Sequence, residues 1–130
     1  MLFRSVNLLD RSSRPAGYST LGGNAMMCAA ENNAFPTVHT SLYNAQPSEG
    51  GTGYTAEQLA DLGQRAGAGP GYAECVTSGR HSAAVADNFQ RALNDPNLKG
   101  EGGFGTPTLV LDGKLQTSSS GRELEQILTG

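Results

Sequence analysis

Apolar residues return at the even positions Leu2, Val6 and Leu8 of "MLFRSVNLL", which predicts a short strand over Met1–Leu9. "DRSSRPAG" then breaks the pattern with Pro15 and Gly17. From Tyr18 the period lengthens. Leu21, Ala25 and Cys28 fall at i, i+4 and i+7, one face of a helix running to about Glu31. A second short helix is predicted after Pro36, through His39 to Tyr43. "PSEGGTG" reads as a loop, and "TAEQ" as a capping box with Thr55 as N-cap and Gln58 reaching back. Leu59, Leu62 and Ala66 supply the buried face of the helix that follows, and "GAGPG" ends it. Tyr72, Cys75, Val76 and Gly79 repeat the helical spacing, as do Val85, Phe89, Ala92 and Leu93 before Asp95-Pro96 stops the run.

After the glycine-rich "KGEGGFG" the character changes. "TLVL" reads as a buried strand, Asp112-Gly113 as a type I′ turn, and Lys114 to about Thr117 as the return strand. Ser120 and Glu123 form a second capping box, and Leu124, Ile127 and Leu128 give a last helix its apolar stripe. The predicted order is strand, four or five helices, β-hairpin, helix, which is an α/β arrangement with no internal repeat. Pro107 opens the apolar strand, where a residue without an N–H is tolerated only at a start or a bend.

The chain has 130 residues, enough for one domain with a single core. Its hydrophobic fraction of 37%, joined by 18 glycines, is a globular composition. A net charge of −3 and nine scattered Lys and Arg leave no electrostatic footprint for nucleic acid. The sequence holds no apolar stretch long enough to span a bilayer, and its N-terminus lacks the apolar core of a signal peptide.

Candidate chemistry is sparse. "GEGGFG" (Gly100 to Gly105) satisfies G-x-G-x-x-G, but a helix precedes it and a strand follows, the reverse of a dinucleotide site, so it reads as a connector. His39 and His81 have no metal-ligand partner at useful spacing and read as ordinary helix residues; no metal or cofactor is expected. "TSSSG" offers hydroxyls but no base, and Ser120 is already employed as a cap. Cys28 and Cys75 lie on or beside apolar helix faces and are too far apart to act as a C-x-x-C pair. They are either buried free thiols or a staple between two helices. A staple of that span would contribute roughly 4 kcal/mol at most.

The segments together resemble a known family. "FGTPTLVLDGK", followed by a strand and a capped helix, is similar to the C-terminal half of a DsbA-like thioredoxin domain. "HTSLYNAQPSEGGTGYTAEQLADLGQRAG" and "YAECVTSGR" resemble the helical insertion of its actinobacterial members. "VNLLDRSS" and "YSTLGGNAMMCAAE" fit the second strand of the thioredoxin motif and the first inserted helix.

The resemblance implies a single domain over 1–130: a strand at 1–10, a helical insertion at 18–95, and a cis-proline loop, hairpin and C-terminal helix at 104–130. It implies a cis peptide between Thr106 and Pro107, whose backbone faces an extended polypeptide substrate. It also implies a redox partner protein, an extracytoplasmic or membrane-anchored setting, and a structural disulfide between Cys28 and Cys75. Family members carry C-P-x-C or a similar motif on a strand and helix that precede the segment matched here to Met1–Leu9. The sequence contains no C-x-x-C. The expectation is therefore a fragment or truncated form of a DsbA-like thiol–disulfide oxidoreductase, without catalytic residues and inactive in exchange. The alternative is a non-redox, thioredoxin-like peptide-binding module.

Overall fold

The computed structural model describes residues 2–116. The Ser120–Glu123 capping box and the last helix lie outside the described residues, as does Thr117. Residue contacts gather into two compact units, Met1–Gln90 and Arg91–Gly130.

The first unit is helical. Its helices are α1 (Tyr18–Glu31), α2 (Phe35–Asn44), α3 (Ala56–Arg65), α4 (Tyr72–Thr77) and the greater part of α5 (Ser82–Asn94). Residues 2–7, predicted as part of a strand, form none, and turns follow them. A strand needs a neighbour to accept its ladder, and among the described residues none runs beside this segment. Its polar groups bond to helices instead: Asn88 donates to the Ser5 carbonyl at 3.2 Å. Asp10 fixes the entry to α1, accepting from the Thr20 amide at 2.7 Å and from Asn7 at 3.1 Å. Gly17, at φ 109°, supplies the left-handed residue from which α1 departs.

The core joins Ala25, Cys28 and Ala29 of α1 to Ala34 and Val38, to Leu59 and Ala60 of α3, and to Tyr72, Cys75 and Val76 of α4. The capping box of α3 is present, with Thr55 Oγ1 accepting from the Gln58 amide and Gln58 Oε1 from the Thr55 amide. The buried face of α3 differs from the sequence pattern. Leu59, Ala60 and Gly63 are buried, whereas Leu62 and Ala66 are only half-buried. Gly63 is the reason: a Cβ there would stand 2.1 Å from the Tyr72 ring, so the absent side chain makes room for that ring. Tyr72 is fully buried, donates to the Leu59 carbonyl at 3.1 Å, and has its pKa pushed up to about 12 by desolvation.

In the second unit, Asp95 caps a short 3-10 turn at Pro96–Leu98 by accepting from the Asn97 amide at 2.9 Å. Gly100 and Gly103 then exchange two backbone hydrogen bonds of 3.1 Å, so the glycine run is a tight turn and no helix follows it. Strands β1 (Leu109–Leu111) and β2 (Lys114–Gln116) pair antiparallel in the register Leu109↔Gln116, Val110↔Leu115 and Leu111↔Lys114. Asp112 and Gly113, at φ 50° and 75°, make the type I′ turn. The expectation of a buried strand fails for its outer half, since Val110 is 42% and Leu111 37% exposed. Among the described residues only β2 pairs with β1, so the sheet has no further layer of strands to cover it.

Candidate functional site

Helices α1 and α4 bring Cys28 and Cys75 together. The two form a disulfide with Cα atoms 5.8 Å apart, and neither residue has any solvent exposure. Of the two readings left open by the sequence, the staple is the one found. Asn24, one turn before Cys28, is also fully buried and fully used. Its Nδ2 donates to the Val76 carbonyl at 3.1 Å, and its Oδ1 accepts from the His81 amide at 2.8 Å. A buried amide with both ends paired fixes α1 against the turn between α4 and α5.

That turn delivers two side chains, Arg80 and His81, to the end of α1. Gly79, at φ 65°, reverses the chain after α4 instead of continuing its buried face. Arg80 then reaches Glu31 at 3.2 Å and Glu74 at 3.3 Å. His81 Nε2 lies 2.8 Å from Glu31 Oε1. The ring nitrogen is buried and makes no aligned hydrogen bond, so this contact is an ion pair when the imidazole is protonated. Glu31 Oε2 stands 3.6 Å from Cys75 Sγ, which carries no hydrogen in the bridge and therefore donates none. The two sulfurs and a ring nitrogen of His81 all lie within 4.8 Å of one another.

The sequence pattern assigns His81 no partner because its partners are remote along the chain. Glu31 and the cysteines meet it only through the packing of α1 on α4. Glu31 and Arg80 carry no sequence signal of their own. His39, by contrast, is the ordinary helix residue its spacing suggests, half-buried in α2 with its ring 5.5 Å from that of Phe35 and 4.7 Å from that of Tyr43.

Thr106 and Pro107 occupy the loop before β1. Both are exposed and the peptide between them is cis. Thr108 Oγ1 donates back to the Gly105 carbonyl and closes the loop. A second cis peptide, Arg14–Pro15, has no counterpart in the sequence reading, which marked Pro15 only as a break.

A helical unit closed by an internal bridge, and a second unit with a β-hairpin, are the parts of a DsbA-type, thioredoxin-like α/β fold. The family model described as thioredoxin matches residues 4–129, and the chain belongs to that family. The oxidised DsbA of Mycobacterium tuberculosis is similar at 26% identity, over 95% of this chain and 61% of that one, with a TM-score of 0.75. The reduced form of a disulfide bond oxidoreductase, DsbG, from the same organism matches at 25% identity. It covers 97% of this chain and 60% of its own, with a TM-score of 0.73. A reduced DsbA from that organism, at 24% identity, 97% and 64% coverage and a TM-score of 0.72, repeats the fold. The chain thus spans less than two thirds of the length of these structures. Comparison with curated proteins finds no match.

Proposed function

We propose that this chain is the helical and cis-proline portion of a DsbA-like thiol–disulfide oxidoreductase, forming one thioredoxin-like domain, and that alone it does not catalyse exchange. The observation that carries this reading is the burial of its two cysteines in one bridge. Exchange begins with an accessible thiolate attacking a disulfide sulfur, and ends when a second thiol releases the mixed disulfide. In C-x-x-C enzymes a helix N-terminus favours that thiolate. Neither sulfur here is accessible in the folded chain, and the sequence offers no C-x-x-C to replace them.

The Thr106–Pro107 loop is the part that meets substrate. Support comes from the exposure of both residues and from β1, which pairs only with β2 among the described residues and whose other edge can take an extended polypeptide as an added strand. The substrate class is a polypeptide, the redox partner another protein, and the setting extracytoplasmic or membrane-anchored. No helix among the described residues is long and apolar enough to cross a membrane. The second reading, a peptide-binding module without redox work, is favoured by the same exposed strand with Val110 and Leu111 uncovered.

Insulin reduction and oxidation of a reduced substrate by the purified chain test the proposal against a Cys28→Ser/Cys75→Ser variant. Both proteins are expected at background. Turnover that disappears in the variant would make the bridge a working redox pair. Joining a C-x-x-C strand and helix ahead of the chain is expected to confer exchange activity. Failure of that fusion, with peptide binding intact and dependent on Thr106, would favour the binding module.

A further inference from the structure

We propose that the reduced chain binds one Zn²⁺-class divalent cation through Cys28, Cys75, His81 and Glu31, so that disulfide and metal are alternative cross-links between α1 and α4. The donors are already assembled. Both sulfurs and a His81 ring nitrogen lie within 4.8 Å of one another. Glu31 adds its two oxygens, one 2.8 Å from His81 Nε2 and the other 3.6 Å from Cys75 Sγ. Ligand atoms of a tetrahedral zinc site, at bond lengths of about 2.0–2.3 Å, stand roughly 3.3–3.8 Å apart. Breaking the Cys28–Cys75 bond frees both sulfurs to move to that spacing, and Glu31 closes in from the side of His81 and Cys75.

The chemistry of the set is that of zinc: two thiolates, one imidazole and one carboxylate. His81 Nε2 is buried and lacks an aligned hydrogen bond, and its 2.8 Å contact is with Glu31 Oε1, a member of the same donor set. Asn24 Oδ1 already holds the His81 backbone, and so fixes where the imidazole stands. Charge comes close to balance. Two thiolates and one carboxylate exceed the cation by one negative charge, and Arg80, 3.2 Å from Glu31 and shared with the exposed Glu74 at 3.3 Å, offsets part of it. Glu31, with a side chain 42% exposed, gives the ion its way in from solvent.

The exchange of one cross-link for the other passes through the unfolded chain, where the buried bridge becomes reachable, and balances with a dithiol reductant. The dithiol passes two electrons and two protons to the Cys28–Cys75 bond, giving two thiols, and itself becomes a disulfide. The entering cation then displaces both thiol protons to solvent. Reoxidation by a disulfide reverses the sequence and expels the ion.

The test is cobalt and zinc titration of the full chain. The protein is reduced with dithiothreitol in denaturant, then desalted and refolded anaerobically. One equivalent of Co²⁺ is expected to give thiolate-to-cobalt charge transfer and the intense visible bands of tetrahedral coordination, bleached by Zn²⁺. Oxidised protein is expected to show neither. In competition with a chromophoric chelator, His81→Ala and Glu31→Gln are each expected to weaken Zn²⁺ binding by more than about tenfold, the loss that even an outer partner of a metal ligand causes. Circular dichroism of the oxidised variants reports whether the fold survives the substitutions. Failure of the reduced wild-type chain to bind or to refold with Zn²⁺ overturns the proposal. So does unchanged affinity in the Glu31→Gln variant, which keeps the side chain's size and removes its charge.

Discussion

Tyr72 couples the core of the helical unit to alkaline pH. Its phenol ionises near pH 10 in an unfolded chain, but burial holds it neutral up to about 12 in the folded one. Below pH 10 both states keep the proton and stability is unaffected. Between pH 10 and 12 the unfolded chain loses a proton that the folded chain retains, so stability falls, by roughly 2–3 kcal/mol in full. Urea midpoints measured at pH 9, 10 and 11 are expected to decline above pH 10, with a shallower decline in Tyr72→Phe. Tyr18 contributes in the same direction, its pKa raised by burial and by neighbouring Tyr54, so the variant does not abolish the slope. Asn24 gives a second residue-scale expectation. Asn24→Ala strands the Val76 carbonyl and the His81 amide in a buried place, and unfolding by urea is expected to show a loss of about 2–4 kcal/mol. A loss below about 0.5 kcal/mol, the range of inconsequential surface changes, would mean these bonds do not fix α1.

Helix placement was legible from local chemistry, because caps and breakers act within a few residues. Thr55 and Gln58 bond reciprocally as their spacing implies, and Thr55→Ala is expected to lower stability by about 1 kcal/mol in the same urea measurement. The Asp112-Gly113 turn was legible for the same reason, since both residues tolerate positive φ. Where local pattern misled, a tertiary partner decided. The strand expected over Met1–Leu9 has no neighbouring strand among the described residues, and its polar groups turn to helices. The face of α3 rotates toward Gly63 because the Tyr72 ring fills the space above that glycine. Gly63→Ala is accordingly expected to cost about 1–3 kcal/mol by overpacking, although alanine is the better helix former. A stabilised Gly63→Ala would show that the ring can move aside.

Across the molecule the family was legible in the ordered set of segments, more than in any one motif. The cluster of Glu31, Arg80 and His81 beside the bridge was not, since its members approach only when α1 and α4 pack. The Cys28–Cys75 bridge closes a sequence separation of 47 residues, which in the chain-entropy model contributes up to about 4 kcal/mol. The most direct measurement of whether it is a staple or a shuttle is the rate at which it opens in the native state. Oxidised protein is held in millimolar dithiothreitol at neutral pH, quenched by alkylation at intervals, and the modified cysteines are counted by mass. A buried structural bridge stays intact until denaturant is added, then opens rapidly. Complete reduction of the native protein within seconds, at a rate unchanged by denaturant, would contradict the structural role.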